Sequence, residues 1–304
     1  MGARFALERQ RDMQHITAIV EKVRKQTRAF LRRPLVWRAR RRERLASGSL
    51  KYELAICAIF REEAPFLAEW IEFHHGIGVT QFYLYNNFST DDFTEVLAPY
   101  IQSGLVTLLD WPVPVGQISA YRHCIKARWR DARWIAFIDI DEYLFSPLQT
   151  SILSILQNHH NFPGLHVWQL FFGSSGHETR PKGPLVESFT RRAPLSQTTV
   201  KSIVNPRLVY KVGVHTSKFW EDESRDTHGR LIAPSLLPVL DILRINHYWS
   251  RSLSDLDQKV RRGDASTAMA RNRDWHFNFE KELNMEHDES IMPIARAIRM
   301  SNRT

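Results

Sequence analysis

Apolar residues fall into short blocks along the chain, and the spacing inside each block predicts its element. Leu54–Phe60 is a continuous apolar run of strand length, so it reads as a strand buried on both faces. Pro65 suits the first turn of a helix, and Phe66, Trp70, Phe73 and Ile77 follow at helical spacing up to Gly76 and Gly78. Gln81–Tyr85 is a second strand. A polar turn, Asn86 to Asp92, leads into a helix through Val96 and Tyr100 that stops at Gly104. Leu105–Leu109 is a third strand and Trp111–Gly116 a Pro-rich loop. Ile118, Tyr121, Ile125 and Trp129 then stripe one helix face, and Ile135–Ile138 is a fourth strand. Strands alternating with helices imply a parallel sheet covered on both faces, which predicts an α/β fold.

The rhythm changes after Pro147. A helix is expected over about 148–158 and a strand over Leu165–Phe172. Short β-like pieces follow at Val186–Thr190, Ser202–Val204, Leu208–Val212 and Leu240–Ile245, among Gly, Ser and Pro clusters. Helices return at Leu253–Arg261 and near the C-terminus. The expectation is one domain over residues 51–304, with a nucleotide-binding half (51–147) and a loop-rich acceptor half (148–304) around a mixed sheet.

The segment AFIDIDEYLF, 136–145, carries the chemistry. The buried strand delivers Asp139, Asp141 and Glu142 within four residues. Crowded carboxylates repel one another and lose hydration, so something must compensate them. Strand side chains alternate, which sends Asp139 and Asp141 to the same side. A hard cation, Mg²⁺ or Mn²⁺, with oxygen ligands and substrate phosphates would balance them. His215 in GVHTSK and His247 in INHYWSRS are candidate further ligands. Ligands of open α/β sheets bind at the carboxyl ends of the strands. Asp91 and Asp139 both fall just past predicted strand ends there, and Arg61 and Glu63 at the end of the first strand offer a cradle.

Charge adds a separate feature. Residues 1–50 hold 14 Lys and Arg against 4 Asp and Glu, whereas the rest of the chain is nearly neutral. The excess is therefore a basic arm, 1–50, which reads as helix from its few breakers before Pro34, with Phe5, Ile16, Ile19, Val20, Val23 and Phe30 scattered among arginines. Such an arm is a solvated helix, a binder of an anionic membrane surface or, least favoured, of nucleic acid. No apolar run approaches the roughly 18 residues of a membrane helix. Residues 1–50 also lack the apolar segment of a signal peptide. Cys57 and Cys124 make no disulfide framework. The expected compartment is cytoplasmic, peripheral on the inner membrane face if the arm binds lipid.

Eight ordered blocks carry a resemblance. CAIFREEAPFLAEWIEFHHGIGV (57–79), FYLYNNFSTDD (82–92), GQISAYRHC (116–124) and WIAFIDIDEYLF (134–145) come first. FFGSSGH (171–177), LVESFTRR (185–192), KSIVNP (201–206) and INHYWSRS (245–252) follow. The chain resembles glycosyltransferase family 92, on its bacterial side related to the family-2 transferases, of GT-A fold. The resemblance runs from about Tyr52 to about Ile291. It implies inverting transfer of a sugar from a nucleotide-sugar, UDP-linked, to a hydroxyl of a glycan, polysaccharide or lipid-linked acceptor. By the same resemblance Asp139 contacts ribose or metal and Asp141 binds metal. Glu63, Asn87 and Asp91 face the nucleoside, and Gln117, Tyr121 and Arg122 line the diphosphate or donor sugar. Glu187 is the first candidate for the base, with Glu221 and Asp222 second; the alternative for Glu187 is an ion pair with Arg191 or Arg192. Glu62 and Asn86 stand where many members have Asn and Asp.

Other classes fit parts of the pattern. A phosphatase of the Asp-x-Asp type favours Thr or Val where Tyr143 stands, and an earlier motif. A nucleotidyltransferase or another metal-dependent phosphate-ester enzyme needs a basic, Gly-rich phosphate loop after the first strand, and FREEAPF is not one. A non-catalytic scaffold with a basic binding arm is the remaining alternative.

Overall fold

The computed structural model describes residues 37, 40–45, 50–233, 236–263 and 272–302. The chain divides into two compact units, residues 1–45 and 46–304. In the first unit the described residues are helical, and the Arg41 guanidinium lies 5.5 Å from the Trp37 ring centroid. Most of the predicted basic arm lies outside the described residues. No described helix is long and apolar enough to cross a membrane.

The second unit opens with the predicted alternation: β1 (Tyr52–Phe60), α1 (Ala64–Gly76), β2 (Gln81–Asn86), α2 (Phe93–Gln102), β3 (Val106–Asp110), α3 (Gln117–Arg128) and β4 (Ala132–Phe137). These four strands pair in parallel in the order β3-β2-β1-β4, the Rossmann-like half of the sheet. Consecutive β1 residues face opposite sides. Leu54, Ile56, Ala58 and Phe60 join the larger core cluster, whereas Ala55, Cys57 and Ile59 join the smaller one. Burial on both faces is why the run is uninterrupted in sequence. The two cysteines are buried and unbridged.

Beyond β4 the sheet becomes mixed. β6 (Gly164–Phe172) and β8 (Thr198–Val204), with the two-residue β7 (Arg191–Arg192) between them in sequence, are antiparallel to each other, and β8 is antiparallel to β4. β9 (Val209–Lys211) and β10 (Lys218–Phe219) form a separate antiparallel pair. β11 (Arg244–Tyr248) runs parallel to β6 and antiparallel to β5 (Glu142–Phe145). β5 escapes the sequence pattern because it is four residues long and, among the described residues, pairs with β11, distant in sequence. Two expected strands change. After α4 (Ile152–Asn158), Leu185–Ser188 is a short helix, α5, with Leu185 and Val186 buried, rather than a strand from Val186. The strand expected at Leu240–Ile245 is shifted, because register with β6 runs from Arg244 to Tyr248. Three further helices follow: α6 (Leu253–Arg262), α7 (Arg273–Glu282) and α8 (Met292–Ser301).

His74 on α1 fixes β5 against the parallel half of the sheet. Its Nδ1 bonds the Trp70 carbonyl at 2.8 Å and its Nε2 accepts the Leu144 amide at 3.1 Å, so Nδ1 carries the proton. Burial pushes this imidazole down to about 3 from its ordinary 6.5, with the bond to the Trp70 carbonyl opposing. The folded value lies below the unfolded one, so the unfolded chain binds the proton first. The resulting stability is complete above pH 6.5 and declines as pH falls toward 3. Between pH 7 and 5 this site is expected to cost the domain about 2 kcal/mol. Urea unfolding of wild type and His74→Gln at both pH values checks it. Equal pH dependence in the two proteins would refute the assignment.

Candidate active site

The tight turn after β4 builds the site. The Glu142 amide donates to the Asp139 carbonyl at 3.1 Å, and the Asp139 amide donates to Glu142 Oε2 at 2.9 Å. The three carboxylates are thereby brought together at the carboxyl end of β4. They line a cleft of about 530 Å³ with Glu63, Asn87 and Gln117 on one side and Phe171, His247 and Trp249 on the other.

Compensation comes first from two lysines. Lys201, on β8, donates to Asp139 Oδ2 at 2.6 Å and lies 3.2 Å from Glu142 Oε1. Lys259, on α6, donates to Asp141 Oδ2 at 2.7 Å and to the Trp249 carbonyl at 2.9 Å. Asp139 Oδ1 also accepts from Gln117 at 2.9 Å and Tyr121 at 3.1 Å. Burial would raise Asp141, but Lys259 and then His247 hold it well below the usual carboxylate range. Burial raises Glu142, against the pull of Lys201, and Asp139 and Asp141 push it further the same way. Lys201 stays charged despite its burial, because Asp139 and Glu142 face it.

Strand register adds a nitrogen donor. β11 sets His247 opposite Glu142. His247 Nε2 is 3.3 Å from Asp141 Oδ2 and its Nδ1 is 3.6 Å from Glu142 Oε1. Among the described residues, Asp141, Glu142 and His247 form the one group whose ligand atoms converge within 4.8 Å. Burial lowers the His247 imidazole, which keeps it neutral as a metal ligand must be. Gln169 tests the fit. Its Nε2 contacts Glu142 Oε1 and lies 2.9 Å from His247 Nδ1, while its Oε1 is buried without a partner. The Gln169 amide thus donates to both Glu142 Oε1 and His247 Nδ1, which turns the His247 Nε2 edge toward Asp141. Carboxylate oxygens and an imidazole nitrogen are donor types that fit Mn²⁺ or Mg²⁺.

The predicted residues fall into two groups. Glu63, Asn87, Gln117, Asp139, Asp141, His215 and His247 line the cleft. Tyr121 stands behind it, buried against Asp139. Glu63 is fixed by Arg251 at 2.6 Å and by Arg262, and Asn87 donates to the carbonyls of Trp111 and Val113 at 2.8 and 3.0 Å. His215 lies outside the convergent donor group; its Nδ1 bonds the Val200 carbonyl at 3.1 Å. Asp139 also lies outside that group, its oxygens already bonded to Lys201, Gln117 and Tyr121.

Four predicted residues are elsewhere. Asp91 accepts the Ala64 amide at 2.8 Å and so holds the start of α1 rather than facing a nucleoside. Arg122 is exposed on α3, whose opposite face carries buried Tyr121 and Cys124. Glu187 is paired with Arg299 and lies 3.8 Å from Arg296, in a separate cavity with Glu69, Pro184 and Ile298. That partner comes from α8, not from Arg191 or Arg192. Asp222 is exposed and bonded to Arg225 at 3.2 Å and its neighbour's amide at 2.8 Å, and Glu221 beside it is exposed. The sequence reading passed over Glu142 as a ligand, Lys201 and Lys259. Lys201 did leave a signal: a lysine inside the apolar run Val200–Val204 needs a buried counter-charge.

The fold and the cleft define an α/β protein with acidic and cationic side chains gathered at the carboxyl ends of its parallel strands. The profile of glycosyltransferase family 92 matches residues 51–287, and the chain belongs to that family. A family 92 protein of Oryza sativa subsp. japonica is 33% identical over 159 residues, 51% of this chain and 27% of the relative. One of Ricinus communis is 30% identical over 164 residues, 52% of this chain and 30% of the relative. The chain thus spans about 30% of the length of these relatives. They are plant proteins, and the bacterial side of the family expected from sequence finds no support. Among solved structures, Staphylococcus aureus TarS residues 1–349 align with a TM-score of 0.34 at 11% identity, covering 51% of this chain and 47% of that one. At that score the likeness carries no argument about this chain.

Proposed function

We propose that the chain is a metal-dependent, inverting glycosyltransferase of GT-A architecture. Its donor in this reading is a nucleotide-sugar, UDP-linked, and its acceptor a hydroxyl of a glycan or lipid-linked glycan. The carrying observation is the convergence of Asp141, Glu142 and His247 beside Asp139 in one cleft at the strand ends. Asp141 and His247 would hold Mn²⁺ or Mg²⁺, which supplies Lewis-acid stabilisation of the charge on the departing diphosphate.

The chain's own residues do the rest. Gln117, Tyr121 and Lys201 fix Asp139, which leaves its exposed edge to accept hydroxyls of the nucleotide. Asn87, anchored to the loop after β3, closes the nucleoside end of the cleft. Inversion by a single displacement needs a base for the acceptor proton, and Glu187 and Asp222 are outside the cleft. We assign that role to His215. Its Nδ1–H donates to the Val200 carbonyl, so Nε2 is the accepting nitrogen. Burial, and then Lys201, lower this imidazole, keeping it neutral and able to take a proton.

Titration of UDP with Mn²⁺ and with chelator tests the reading as a whole. Metal-dependent binding is expected, and folded protein that binds no UDP under either condition would overturn it. His215→Asn is expected to lower kcat about 10²-fold or more with UDP binding unchanged. Full kcat in the variant, measured by UDP release, would remove His215 from the mechanism.

A further inference from the structure

Trp275 is 56% exposed on α7 and lines the same cleft. One face of its indole stacks on Phe279 at 5.2 Å and 14°. Trp249 meets Trp275 edge-on at 6.3 Å and stacks on His276 at 5.3 Å. Phe171 joins the group through Phe279 at 5.9 Å and His247 at 5.1 Å. The inner rings are thus held by one another, and the outer indole face is left to solvent. Asn272, His276 and Lys259 edge the same wall of the cleft with polar groups.

A rigid aromatic face bordered by hydrogen-bonding groups matches a pyranose ring, which has a C–H face and a rim of hydroxyls. Position separates this wall from the nucleotide end. Asn87 and Glu63 follow β2 and β1, whereas Phe171 and Trp249 belong to β6 and the end of β11. In the sheet order β6-β8-β4-β1-β2, the carboxylates after β4 lie between the two. Lys259 links the wall to the chemistry, bonding Asp141 at 2.7 Å with its Nζ 5.3 Å from the Trp249 ring centroid.

We propose that Trp275, supported by Phe279 and Trp249, is the platform on which a pyranose ring of the acceptor glycan stacks. This rests on the transferase reading, and the experiment separates the two. An array of immobilised pyranose oligosaccharides, probed with the full chain, supplies the ligand. The oligosaccharide bound best is then titrated in solution against wild type, Trp275→Ala and Trp275→Phe, with UDP and Mn²⁺ titrated in parallel. Trp275→Ala is expected to bind the glycan about tenfold more weakly, and Trp275→Phe within about threefold of wild type. UDP affinity is expected to be equal in all three. Unchanged glycan affinity in Trp275→Ala, or no arrayed glycan bound by wild type, would overturn the platform. Loss of UDP instead of glycan would also overturn it and give the ring to the nucleobase. Glycan binding that depends on Trp275, in a protein that binds no UDP, would leave the platform standing and sink the transferase reading.

Discussion

Asp141→Ala is expected to lower kcat/KM for a UDP-sugar by about three orders of magnitude and to abolish the Mn²⁺ dependence of UDP binding. Asp141 is the carboxylate that converges with His247, and its low proton affinity keeps it ionised across the working pH range. Removing it also leaves Lys259 without its 2.7 Å partner. A cation freed in that way attracts phosphate, so metal-free UDP binding is expected to persist or tighten slightly. Calorimetry with Mn²⁺ and with chelator, using UDP, UDP-galactose and UDP-glucose, separates the two terms. A variant whose UDP affinity still rises with Mn²⁺ as in wild type would move the metal away from Asp141.

Lys201→Ala is expected to destabilise the domain by about 3–5 kcal/mol, the range for removing one partner of a buried ion pair. Lys201 is 1% exposed and Glu142 fully buried, so the substitution removes the nearest counter-charge of a desolvated carboxyl. Without it Glu142 sits among Asp139 and Asp141, with Gln169 and His247 near its Oε1. Its carboxyl is then pushed further up, and the folded state favours the protonated form. The wild-type carboxyl is itself pushed up to about 8, so the added penalty is least below that pH and grows above it. Urea unfolding at pH 6 and pH 9 is expected to show the larger loss at pH 9. The double variant Lys201→Met with Glu142→Gln should regain most of it, since both charges leave together. A loss equal at both pH values and unrelieved by the second change would mean that Lys201 acts through packing alone.

These expectations rest on contacts that the sequence showed unequally. β1 to β4 and their helices were legible because each encodes its own burial: unbroken apolar strands, striped helices, and Pro or Gly at the ends. The crowding of Asp139, Asp141 and Glu142 was legible from their adjacency in the sequence, but the turn after β4, and not strand alternation, gathers them. The helix ends were less so. Asp91 reads as a site residue in sequence, but in the fold it takes the first amide of α1, a role open to any Asp placed there.

By itself, the sequence determined the α/β half, the carboxylate cluster past its fourth strand and the family. Tertiary structure alone decided what answers those carboxylates. Lys201 reaches Asp139 because β8 pairs with β4, and His247 reaches Asp141 because β11 pairs with β5. It also decided that Glu187 meets Arg299 on α8, away from the cleft, and that Trp275 stands at its wall. Periodicity records whether a side chain is buried. Which distant charges and rings meet is set by strand register and helix packing, and no local pattern carries that information.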